Sequence, residues 1–103
     1  MELTLLTVPG CPSAPAFEER LAAALAGRPA VTVTRREISD DRVAAQAGMH
    51  GSPTLLINGT DPFAAPGQAA SLSCRLYPDD AGMTGPAPSV EALRQAIAAA
   101  GDA

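Results

Sequence analysis

Two strand-like runs separated by one helical pattern constrain the fold of this chain more than any other feature. Leu3 to Val8 is short, mostly apolar and stopped by Pro9-Gly10, so it reads as a buried strand. From Pro12 to Ala26 the apolar residues Phe17, Leu21, Ala24 and Leu25 recur at helical spacing, with Glu18, Glu19 and Arg20 off that face. Gly27 and Pro29 close this helix. Ala30 to Glu37 alternates Val31 and Val33 against Thr32 and Thr34, the pattern of a second strand. A strand, a helix and a strand within about 35 residues predict a right-handed βαβ unit with parallel strands.

The rest of the chain adds four elements. Ser39-Asp40-Asp41 caps a short helix over Arg42 to Ala47, and Gly48 ends it. Thr54 to Asn58 is a third strand, expected antiparallel to the first. The segment Gly59 to Ala70 is a loop rich in glycine and proline. Ser71 to Tyr77 is a fourth strand, expected antiparallel to the third, with Leu72, Cys74 and Leu76 alternating against Ser71, Ser73, Arg75 and Tyr77. After a second loop, Pro78 to Pro88, Ser89 caps a last helix that buries Val90, Leu93, Ala96, Ile97 and Ala100. The expected architecture is α/β, one domain over residues 1–103 in the order β-α-β-α-β-β-α, with a four-stranded mixed sheet flanked by three helices.

With 103 residues, such a domain buries roughly two thirds of its unfolded surface. Only Phe17, Phe63 and Tyr77 are aromatic, so Leu, Ile, Val and Ala must build most of the core. Positive charge comes entirely from seven arginines, and the net charge is −4. With no basic cluster beyond Arg35-Arg36, neither nucleic acid nor an anionic membrane is an expected partner. The N-terminus lacks a basic n-region and a long apolar h-region, and no run approaches the roughly eighteen apolar residues of a membrane span. A cytoplasmic address is therefore expected, where two cysteines are free, catalytic or metal-linked sooner than a structural disulfide. No close-spaced set of Cys and His suggests a metal, no cofactor is implied, and nothing in the sequence bears on oligomeric state.

Chemistry concentrates at Cys11-Pro12-Ser13-Ala14, between the first strand and the first helix, and at Gly51-Ser52-Pro53-Thr54, which opens the third strand. A cysteine at or beside a helix cap meets unpaired backbone N–H groups and the positive end of the helix dipole, which favour thiolate chemistry. Pro12 suits the first helical turn, where its missing N–H has no partner to lose. Ser13 reads either as a hydrogen-bond donor to that sulfur or as a surface cap. Cys74 has two readings, a small buried apolar residue of the fourth strand or a second reactive thiol. His50 reads as a cation near the thiol or as an exposed loop residue, and Asp61 as a turn acid.

The element order, the cysteine at the first strand–helix junction and the stretch Gly48-Met49-His50-Gly51-Ser52-Pro53-Thr54-Leu55-Leu56-Ile57-Asn58-Gly59 resemble the thioredoxin superfamily. The resemblance implies a cis Pro53 against the sulfur of a catalytic Cys11, with the neighbouring backbone pairing with an extended substrate. Pro12, Ser13, Ser52, Pro53 and Thr54 would then contact a protein or low-molecular-weight thiol or disulfide substrate. Cys11-Pro12 is nearer the glutaredoxin style of motif, Gly10 stands where a tryptophan is common, and Ala14 removes the usual resolving thiol. Exchange would run through Cys11 alone or with Cys74. Two other classes are open. Ser71 to Tyr77 looks similar to a segment of chains named as alkylmercury lyases, a reaction of two cysteines and an acid, here Cys11, Cys74 and Asp61. A redox-inactive binding module on the same fold is the other.

Overall fold

The computed structural model describes residues 1–28, 31–79 and 81–101. The expected stop at Pro29 and strand start at Ala30 lie outside them. Among the described residues the strands are β1 (Glu2–Thr7), β2 (Thr32–Glu37), β3 (His50–Ser52), β4 (Thr54–Ile57), β5 (Ser71–Cys74), β6 (Tyr77–Pro78) and β7 (Thr84–Gly85). The helices are α1 (Ala14–Ala24), α2 (Asp41–Ala47) and α3 (Val90–Gly101). The chain is a mixed α/β structure, and none of these helices is long and apolar enough to cross a membrane.

β1 is the central strand of a three-stranded sheet ordered β2-β1-β4. It runs parallel to β2, with Leu3 opposite Val33, and antiparallel to β4, with Leu5 opposite Leu55. Both pairings follow the expected directions. β1 and β4 are apolar on successive residues because both faces of the sheet are covered. On one face Leu3, Leu5, Leu55 and Ile57 pack with Phe17 and Leu21 of α1 and Leu93 and Ile97 of α3. On the other, Leu6 and Leu56 pack with Ile38, Met49 and Ala44 of α2. Helix ends follow local chemistry. Asp40 accepts from the Arg42 and Val43 N–H groups, Gly48 closes α2 in the left-handed region, and Ser89 Oγ accepts from Ala92 N–H.

The single four-stranded sheet is not what forms. β5 does not pair with β4; it runs parallel to β3, in a separate two-stranded sheet, and a third pair joins β6 to β7. Ser71 N–H donates to the Met49 carbonyl and Arg75 N–H to that of Ser52, both at 3.0 Å. These bonds hold the returning chain on the segment before Pro53 and not on β4. The expected strand Ser71–Tyr77 is thus broken after Cys74. β2 also departs from expectation, since every one of its residues is exposed, Val33 included. As the edge of its sheet it has a neighbour on one side only.

Candidate functional site

Cys11 lies in the turn from β1 into α1, and only 6 % of it is exposed. Gly10 takes φ +70°, where a side chain is disfavoured, and the Cys11 N–H then donates to the Val8 carbonyl at 3.2 Å. The helix starts later than expected. Its cap is Ser13, whose side chain makes no capping bond, and the proline of the first turn is Pro15. Pro12 is exposed and lies before the cap, so Cys11 sits two residues upstream of Ser13. Its carbonyl accepts from the Ala14 N–H at 3.3 Å.

The Ser52–Pro53 bond is cis, and the loop around it is tied to the Cys11 turn. Ser52 Oγ accepts from the Val8 N–H at 3.0 Å, so the two backbone groups of Val8 bond Ser52 on one side and Cys11 on the other. Ser52, Pro53 and Thr54 are all buried. Thr54 Oγ1 donates to the Gly51 carbonyl at 2.6 Å and accepts from the His50 N–H and from Arg75 Nη1. The Pro53 carbonyl accepts from the Tyr77 hydroxyl.

Beneath this loop is a charged cluster that reading the sequence did not find. Asp61 Oδ2 accepts from Arg75 Nη1 at 2.6 Å and from His50 Nδ1 at 2.7 Å. Its Oδ1 accepts from the Phe63 N–H at 2.9 Å, so Asp61 is a turn acid and also the anchor of a buried cation. Arg75 Nη2 donates to the Phe63 carbonyl, and its guanidinium lies 4.7 Å from the centre of the Tyr77 ring. Phe17 and Phe63 meet that ring edge to face, which gathers all three aromatic residues of the chain. Burial pushes the Tyr77 phenol well above its ordinary value, with the Arg75 charge opposing in part. The alternation that placed Arg75 on the polar side of a strand hid this cluster. Its one sequence signal is an acid in the loop that follows the third strand.

Cys74 is exposed, which corrects the reading of it as a buried apolar residue. Leu72 packs toward Met49 and Leu6, but beyond it Arg75 and Tyr77 take the inside, and Leu76 is left 63 % exposed. The energies favour this exchange. An unpaired buried charge costs about 3–5 kcal/mol, more than the about 1.5–3 kcal/mol that burying one leucine contributes. Cys74 stands opposite Ser52 across β3 and β5, so Ser52 is the residue that links both cysteines to one place. Both thiols are free. His50 is neither loop-borne nor fully exposed: it belongs to β3, its side chain is 20 % exposed, and it is held by Asp61. Among the described residues no group of three or more His, Cys, Asp or Glu side chains could hold a metal ion. No family model, curated protein or solved structure matches the chain.

Proposed function

We propose that the chain is a thioredoxin-fold thiol protein that exchanges disulfides through Cys11. One observation carries the reading: Val8 joins the Cys11 turn to Ser52, so a cysteine before a helix and the Ser52-Pro53-Thr54 segment share one backbone anchor. The parallel β1–β2 pair, the antiparallel β1–β4 pair and the helices on both faces agree with it. Cys11 is the nucleophile, and Pro12, Ser13, Ser52, Pro53 and Thr54 are the residues that contact its substrate. A reducing compartment such as the cytoplasm would keep Cys11 in the thiol form that this exchange needs. The organomercurial reading needs Asp61 as a proton donor. Both its oxygens are taken by Arg75, His50 and Phe63, so nothing in this arrangement favours that reading.

The test is thiol–disulfide exchange between glutathione and hydroxyethyl disulfide, measured with wild type, Cys11→Ser and Cys74→Ser. Wild type should raise the rate above the uncatalysed reaction, and Cys11→Ser should lose that increment. An increment kept in Cys11→Ser, or absent from wild type, overturns the reading, and its absence favours a redox-inactive module.

A further inference from the structure

The backbone edge beside Pro53 is already occupied. β5 lies along β3, with His50 opposite Ser71 and Ser52 opposite Cys74. The Met49 carbonyl accepts from Ser71 N–H, that of Gly51 from Thr54 Oγ1, that of Ser52 from Arg75 N–H and that of Pro53 from the Tyr77 hydroxyl. Sterics close the same edge. Gly51 holds φ +120°, and a Cβ there would lie 2.8 Å from Arg75 Cβ and 3.0 Å from the Ser73 carbonyl oxygen. The two segments therefore touch at Gly51, with no room there for a side chain.

An extended peptide that joins a strand gains its affinity from unpaired main-chain groups along the edge it meets. Here the chain's own segment from Ser71 to Arg75 lies along that edge and takes the carbonyls of Met49 and Ser52, while Thr54 and Tyr77 take those of Gly51 and Pro53. Cys11 itself is buried, with 6 % of its surface exposed. We propose that Cys11 acts on low-molecular-weight disulfides of the glutathione type and not on extended peptide or protein disulfides, because β5 fills the pairing edge beside Pro53. This rests on the thiol-exchange reading above and names its substrate class.

The chemistry balances without an added oxidant. The Cys11 thiolate attacks one sulfur of R–S–S–R, the S–S bond breaks, a Cys11 Sγ–S–R bond forms, and RS⁻ leaves and takes a proton from solvent. A second low-molecular-weight thiolate, R′S⁻, then attacks the sulfur of the R group. It leaves as R′–S–S–R and restores the Cys11 thiolate.

The full reduced protein is mixed separately with glutathione disulfide and with a disulfide-linked dimer of a short extended peptide free of Arg and Lys. After quenching and tryptic cleavage, Cys11 is read in the fragment ending at Arg20 and Cys74 in the fragment ending at Arg75. Each rate is divided by that of N-acetylcysteine with the same disulfide, which removes the intrinsic reactivity of the reagent. The normalised Cys11 rate should be at least about tenfold lower with the peptide dimer, the scale of one or two unmade hydrogen bonds. Equal or faster reaction with the peptide dimer overturns the inference and leaves the thiol reading standing. Modification of Cys11 by neither disulfide overturns both.

Discussion

Arg75 and Asp61 form an ion pair inside the protein, with Nη1 2.6 Å from Oδ2 and side chains 7 % and 1 % exposed. Arg75 also ties the pair into the loop around Pro53. From Arg75 the backbone N–H reaches the Ser52 carbonyl, Nη1 reaches Thr54 and Nη2 reaches the Phe63 carbonyl. Removing one partner leaves the other charged and without compensation in a site closed to water. Asp61→Ala or Arg75→Met alone should cost about 3–5 kcal/mol, whereas the double variant should cost less than the sum. Urea unfolding of the four proteins of this cycle measures it, and additive losses would mean that the pair does not couple.

Two glycines with positive φ test the close contact of β3 and β5. Gly51→Ala meets Arg75 and Ser73 as well as a forbidden backbone region, and should cost about 1–3 kcal/mol or more. Gly10 at φ +70° has open space around its missing Cβ, so Gly10→Ala should cost about 1–2 kcal/mol from backbone alone. Thermal denaturation of both variants ranks them, and the reverse order would contradict the contact.

Tyr77 gives a pH dependence with a definite sign. Its phenol is held above its ordinary value by burial, so between about pH 10 and the folded value the folded state keeps a proton that the unfolded chain has lost. The associated stability is fully present below about pH 10 and is lost as pH rises above it. Tyr77→Phe should flatten that alkaline loss. At neutral pH it should cost about 1–3 kcal/mol, because the buried Pro53 carbonyl loses its donor. Denaturation midpoints from pH 7 to pH 11 read both effects.

Cys74→Ala should change stability by no more than about 0.5 kcal/mol, since the thiol is exposed and fills no core space. Phe17→Ala, which empties a fully buried site against Tyr77, should cost about 3–5 kcal/mol under the same conditions. A large loss for Cys74→Ala would place that side chain in the core.

What the sequence determined by itself is what local pattern can encode. The spacing of Phe17, Leu21 and Ala24 set the buried face of α1, and Leu93 with Ile97 did the same for α3. Asp40, Gly48 and Ser89 marked helix ends through contacts within a few residues. The parallel direction of β2 against β1 followed from chain order and crossover handedness. Only the tertiary structure decided where β5 goes. Alternation pointed Leu72, Cys74 and Leu76 inward, but alternation knows nothing of a buried carboxylate fourteen residues earlier. Asp61 needs a cation and Arg75 supplies it, so Arg75 and Tyr77 turn in while Cys74 and Leu76 turn out. That pairing also lays Ser71–Cys74 along His50–Ser52. An ion pair between distant residues has no period in the sequence, and once Asp61 is inside, leaving it unpaired costs more than exposing one leucine.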